Sequence, residues 1–270
     1  MTFDVAAQAY GRFMGRYSGP LAALFADAAG VGPPNGTSGV GPPNGTAGVS
    51  PPGRVLDVGC GPGALTGELV RRLGPDAVSA IDPSPPFVAA IRERFPSLDV
   101  HLGVAEALPF PDDCFEACLA QLVVHFMSDA VAGLAQMRRV TRPGGVVGAC
   151  VWDFAGAGDP LATFWRAVRE LDPQARDESR LAGARAGHLG ELCAAAGLTA
   201  IEQSTLTVAV RFATFEQWWD PFTLGVGPAG DHVRGLDEAA RDALRARCAE
   251  LQPEAPFEIS ASAWCVRALA

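Results

Sequence analysis

The sequence predicts an α/β domain built on a mostly parallel sheet with helices on both faces. Three observations predict it. Val55, Leu56 and Val58 form a short apolar, β-branched run of the kind that lies buried in a parallel sheet. Gly59, Gly61 and Gly63 follow at once and let the backbone turn tightly and approach a ligand. Leu65, Leu69 and Leu73 then mark one face of a helix over residues 66–73. A second apolar run, 77–81, closes on Asp82, about twenty residues past the last loop glycine, where doubly wound sheets place an acid at a ligand crevice.

Composition limits the function. A chain of 270 residues, 49% hydrophobic and 19% charged, is long enough to bury a substantial core. Its net charge of −9 argues against a nucleic-acid partner, which would select basic clusters. All 21 basic residues are arginine. The absence of lysine excludes a Walker A phosphate loop and a pyridoxal phosphate enzyme, both of which need one. Seven cysteines are scattered without a Cys-x-x-Cys pair and four histidines lie far apart, so a reduced, cytoplasmic protein without a metal site is expected. No apolar run is long enough to span a bilayer and no leader pattern is recognisable, so no membrane partner is expected.

Residues 1–30 read as helical, with Phe3, Tyr10, Phe13, Met14, Tyr17, Leu21, Leu24 and Phe25 giving an aromatic-rich face. A lid that carries Tyr10, Tyr17 or Arg16 over the ligand site fits this pattern, as does an ordinary helix packed on the sheet. Residues 31–53 hold a direct repeat, Val31-Gly-Pro-Pro-Asn-Gly-Thr-Ser-Gly39 and then Val40-Gly-Pro-Pro-Asn-Gly-Thr-Ala-Gly48. Proline and glycine at this density read as a surface loop. A single domain, 54–270, follows. Its further strands are expected at 99–103, 117–124, 146–152, 199–212 and 257–266. Helices are expected from about 85, up to Arg139, over 160–171, and over 189–196 where Gly197 stops the last. The forty or so residues between the last two strands, about 213–253, exceed any hairpin turn and predict an inserted helical cap. Its Trp218, Trp219 and Phe222 could wall an apolar substrate pocket or seat the cap on the sheet.

Charge decides what the glycine loop takes. Asp57 stands two residues before Gly59, where a carboxylate would repel the pyrophosphate of a dinucleotide. A donor that carries an ammonium and a sulfonium tolerates the same anion. Asp57-x-Gly59-x-Gly61-x-Gly63 resembles motif I of the class I SAM-dependent methyltransferases. The stretch from Gly103 to Glu116 resembles Gly-x-Ala-Glu-x-Leu-Pro-Phe-x-Asp-x-x-Phe-Asp of the group that includes ubiquinone and menaquinone C-methyltransferases. Arg142-Pro-Gly-Gly145 resembles the Pro-Gly-Gly turn of these enzymes, so the similarity runs from Arg54 to about Trp152. Two positions depart from the pattern: Val104 stands where many relatives have Asp, and Glu116 replaces the commoner Asp.

The resemblance implies a Rossmann-like, seven-stranded, mostly parallel sheet with an antiparallel last strand and the cap between strands six and seven. It implies S-adenosyl-L-methionine as cofactor and S-adenosyl-L-homocysteine as product. Asp57, Gly59, Cys60, Gly61 and Gly63 would hold the methionine end, and Asp82 with Pro83 the ribose. Ala105, Glu106 and Gln121 would border the adenine, and Arg16 of the lid would approach the carboxylate or sulfonium. His125, just past the fourth strand, is placed to take a proton from a nucleophile, and a loop histidine bonded to nearby backbone is the alternative. The expected acceptor is a small, apolar or aromatic molecule. An NAD(P)-dependent oxidoreductase is disfavoured by Asp57 and the loop spacing. A non-catalytic SAM-binding protein remains the second alternative, and the sequence predicts no oligomeric state.

Overall fold

In the computed structural model, which describes residues 7–32 and 53–270, seven strands make one sheet. They are β1 (Val55–Val58), β2 (Val78–Asp82), β3 (Asp99–Leu102), β4 (Phe115–Gln121), β5 (Thr141–Trp152), β6 (Thr199–Phe212) and β7 (Phe257–Leu269). The order is β3-β2-β1-β4-β5-β7-β6. The first five strands pair in parallel, and β7 runs antiparallel between β5 and β6. Every residue of β1 and β2 is buried, which is why these strands read as continuous apolar runs rather than alternating ones. The internal repeat, apart from its first two residues, lies outside the described residues.

Helices cover both faces and the top. They are α1 (Ala7–Phe13), α2 (Gly15–Ala28), α3 (Ala64–Leu73), α4 (Pro85–Arg94), α5 (Ala130–Val140), α6 (Ala162–Leu171), α7 (His188–Ala195), α8 (Phe215–Trp219), α9 (Gly227–Gly235) and α10 (Glu238–Leu251). The N-terminal helices are tied to the sheet through Arg72 of α3. Its guanidinium donates to Val31 O and Asp27 Oδ1 at 2.6 Å and to Ala23 O at 3.0 Å, placing a cation at the C-terminal end of α2. Helices α8, α9 and α10 form the insertion between β6 and β7. Phe222 stacks on Phe164 at 4.5 Å between centroids and meets Phe13 edge-on at 5.0 Å. Trp218, Trp219 and Phe222 are all buried, so these aromatics seat the insertion on α1 and α6.

Several boundaries differ from the sequence reading, two of them for a visible physical reason. β4 stops at Gln121 instead of reaching Val124, because Leu122 takes a left-handed φ of 60° and residues Val124–Phe126 wind into a 3-10 turn. β5 starts at Thr141, which draws Arg142-Pro-Gly-Gly145 into the strand instead of a free turn. The physical reason is pairing: Gly144 N donates to Ala270 O, and Ala270 N donates to Gly145 O. Arg142 adds an ion pair to Glu116 on the neighbouring strand.

Candidate functional site

The glycine loop is fixed from below by β1 and α3. Asp57 is buried and accepts a hydrogen bond from Thr66 Oγ1 at 2.6 Å. It thereby supports the first turn of α3, whose N-cap is Gly63 with no side chain of its own. Burial pushes the Asp57 carboxyl up to about 7, against the lowering effect of the Thr66 bond and with the nearby Asp82 adding to the rise. Asp57 is thus the floor of the loop rather than its lining. Gly59 shows why the loop needs glycine: its φ is 67°, and a Cβ there would lie 2.5 Å from the Val123 side chain.

Above the loop a crevice of about 340 Å³ opens at the carboxyl ends of β1, β2 and β4. Gly59, Gly61, Asp82, Pro83, Ala105, Glu106 and Gln121 line it, together with Tyr10 of α1. Asp82 is held by backbone donors, Gly61 N to Oδ2 and Ser84 N to Oδ1, each at 2.8 Å. Each carboxylate oxygen keeps a further lone pair for a ligand hydroxyl. Burial raises the Asp82 pKa, and these two N–H groups oppose the rise. Glu106 braces the rim, with Oε1 accepting from Ser128 N at 2.7 Å and Asp129 N at 3.3 Å. Gln121 Nε2 donates to Ser18 O at 2.9 Å, joining α2 to the end of β4, and its Oε1 is buried without a partner.

Four of the residues expected to hold the cofactor do not line this crevice. Asp57 lies beneath it. Cys60 is packed in the core, with its thiol pushed well up by burial and by Asp57 and Asp82. Gly63 caps α3. Arg16 sits over the Phe212 ring at 5.4 Å, beside a small cavity of about 10 Å³ with Trp218 and Phe222. Its helix crosses β6 instead of the crevice, so it is Tyr10 that α1 brings to the rim. Val104, at the position where relatives carry Asp, lines the crevice and is exposed.

A second cavity, of about 40 Å³, adjoins the first and shares Tyr10, Leu122 and Phe126 with it. Phe13, Trp152, Phe154, Leu161 and the first turn of α9 complete its apolar wall, and His125 and Glu178 are its titratable groups. His125 packs against the Phe126 ring at 3.9 Å and the Phe154 ring at 5.5 Å, and its Nδ1 is buried without a hydrogen-bond partner. Burial pushes its pKa down to about 3, so the imidazole is neutral at physiological pH. Leu122, between the two cavities, carries its side chain on a left-handed backbone that a branched residue seldom adopts. Nothing in the sequence pattern pointed to Glu178, Phe154 or the start of α9. Glu178 sits in Asp177-Glu178-Ser179-Arg180, which looks like a solvated charged loop.

Fold and crevice define the class first: a doubly wound α/β domain with its ligand site at the carboxyl ends of the parallel strands. Comparison with known proteins narrows it. Residues 55–145 match the family model described as "Methyltransferase domain". The malonyl-[acyl-carrier protein] O-methyltransferase of Serratia marcescens is 41% identical over 94 residues, 35% of this chain and 36% of that protein. The demethylmenaquinone methyltransferase of Chlorobaculum parvum is 34% identical over 92 residues, 34% of this chain and 38% of that protein. The match thus spans little more than a third of either relative's length. Among solved structures, the [4+2]-cyclase SpnF has a TM-score of 0.53 at 20% identity, covering 93% of this chain and 80% of that one. That likeness shows the fold. Residues 55–145 thus resemble the methyltransferase domain, and the two relatives that share this stretch are methyltransferases, enzymes whose cofactor is S-adenosyl-L-methionine.

The crevice fits that cofactor. Among the described residues no arginine, lysine or histidine lines it, whereas Asp82 and Glu106 do, so these residues offer no cation to a diphosphate and leave a cationic donor unopposed. Among the described residues no cluster of three or more His, Cys, Asp or Glu could hold a metal ion, and no helix is long and apolar enough to cross a membrane.

Proposed function

We propose that this chain moves a methyl group from S-adenosyl-L-methionine to a small acceptor seated in the cavity beside Tyr10, Leu122 and Phe126. The observation that carries the reading is the cation-free crevice with Asp82 presented on two backbone N–H groups. Asp82 would receive the ribose hydroxyls, with Pro83 beside it. Gly59 and Gly61 would let the methionine end approach the backbone, with Asp57, Cys60 and Gly63 holding the loop from below. Ala105, Glu106 and Gln121 would border the adenine. When bound, the cofactor supplies an electrophilic methyl carbon on a sulfonium, so the protein's work is to align the acceptor and exclude water.

The apolar walls of the second cavity do the excluding, and Leu122 and Phe126 set the approach. His125 offers an unpartnered Nδ1 to a proton on the acceptor. Its low pKa makes it a weak base that holds a proton only briefly. Small-molecule methylation, a cytoplasmic location and the lid role of residues 1–30 belong to the same reading.

Isothermal titration with S-adenosyl-L-homocysteine and with NADH, followed by incubation with methyl-labelled cofactor and a fractionated cell extract, tests it. The expected result is micromolar homocysteine-adenosyl affinity, no nicotinamide binding, and label in one small-molecule fraction. Nicotinamide binding would replace the reading with an oxidoreductase. Cofactor binding without any transferred label would leave a non-catalytic binding protein.

A further inference from the structure

The acceptor cavity holds one acidic group that the methyl-transfer reading does not use. Glu178 lies in the loop between α6 and α7, is buried, and accepts one side-chain hydrogen bond, from Trp165 Nε1 to Oε2 at 2.9 Å. Its Oε1 has no partner among the described residues, and the side chain lines the cavity with the rings of Tyr10, Phe13, Phe126, Trp152 and Phe154. Among the described residues no arginine lines that cavity. Glu178 also borders a smaller cavity with Asp159, Asp177 and Arg169, where Arg169 is paired with Asp177, so the charges that act on Glu178 are the acids Asp159 and Asp177. His125 is neutral, and His232 packs on the Trp165 ring at 5.9 Å. Burial, with Asp159 and Asp177 adding to it, pushes the Glu178 carboxyl up to about 8. Among the described residues this buried carboxyl in an aromatic cavity has no counter-ion.

We propose that Glu178 and the rings of this cavity receive a positively charged nitrogen, so that the acceptor is an amine on an apolar body. The inference rests on the methyltransferase reading of the adjoining crevice. A cation supplies the partner that the carboxylate lacks and is attracted to aromatic rings. A carboxylate or phosphate on the acceptor would add a second anion to an acidic pocket. A hydrocarbon without a donor would leave Oε1 unsatisfied in apolar surroundings. A hydroxyl satisfies the oxygen but draws nothing from the charge or the rings.

Three probes of one shape separate these cases: 2-phenylethylamine, 2-phenylethanol and 3-phenylpropionate, titrated calorimetrically with and without saturating S-adenosyl-L-homocysteine. The amine is expected to bind at least about tenfold more tightly than the alcohol, and the acid not at all, the scale of one buried charge-assisted contact. Amine affinity should rise between about pH 6 and about pH 9 with release of a proton, since binding ionises a carboxyl that the empty cavity keeps protonated. Glu178→Gln should erase the amine preference and the proton release, and Glu178→Asp should restore part of both. Equal binding of amine and alcohol, preference for the acid, absence of binding by all three, or an amine preference that survives Glu178→Gln overturns the proposal. The wild-type comparison decides even if the variants do not fold. Failure of S-adenosyl-L-homocysteine to bind would sink the methyltransferase reading instead, and the probe series without it still judges the cavity.

Discussion

The larger crevice and the smaller cavity meet at Tyr10, Leu122 and Phe126, yet they are built in opposite ways. The crevice comes largely from short loops at the ends of adjacent parallel strands. Its working groups are backbone N–H donors and one carboxylate that they hold. The cavity is assembled from α1, the turn after β4, the end of β5, the loop before α7 and the start of α9, and its walls are aromatic rings. The crevice therefore tolerates little change in backbone and much change in side chain, whereas the cavity should behave the other way.

The largest effect should come from breaking the crevice at its backbone. Gly59→Val puts a branched side chain at a φ of 67° and against Val123, where even a Cβ would lie at 2.5 Å. We expect a loss of about 3–4 kcal/mol in stability by urea unfolding, or no measurable S-adenosyl-L-homocysteine binding. Wild-type affinity in that variant would mean that the loop is not the binding element. Next come Asp82→Ala and His125→Ala as a pair. The first should weaken cofactor binding by about 2–3 kcal/mol, because two backbone donors lose their partner along with the ligand contact. The second should leave that affinity within about twofold and lower turnover about a hundredfold with any acceptor the protein methylates. If both variants change the same quantity, the division between the two sites is wrong.

A smaller effect is expected beneath the loop. Thr66→Val removes the hydroxyl that donates to buried Asp57 and should cost about 1–2 kcal/mol of stability, measured by thermal or urea unfolding. The smallest is a pH dependence. Asp57 and Asp159 are raised by burial to about 7 and Glu178 to about 8, so the fold keeps protons that the unfolded chain has released. Each group therefore lowers stability as pH rises toward its folded value. His125 and Glu68 are depressed, to about 3 and about 2, and lose stability only on acidification below their ordinary values of 6.5 and 4.5. Between about 6.5 and about 8 the raised acids act alone among these five groups, and the melting temperature should fall as pH rises. Glu178→Gln should flatten the upper part of that slope. A melting temperature that rises across this window would contradict the buried, unpaired state of these acids.

What could be read from the chain alone follows the same division. Residue spacing was enough to set the order of strands and helices, the glycine loop and Asp82, because each depends on residues close together in the chain and on backbone geometry that few residue types allow. It placed Pro83, Ala105, Glu106 and Gln121 where they now line one crevice. Spacing could not say that Asp57 turns under the loop to Thr66, since a residue before a strand end can point to either side. Arg16 and Tyr10 looked equivalent on one amphipathic helix, and only the break at Met14, which leaves Tyr10 on α1 and Arg16 on α2, sent one to the crevice and the other to Phe212. The burial of Glu178 and the low pKa of His125 are properties of what packs around them from distant segments. Local sequence sets backbone shape, but the dielectric and the missing partners that give a side chain its chemistry exist only once the chain has closed on itself.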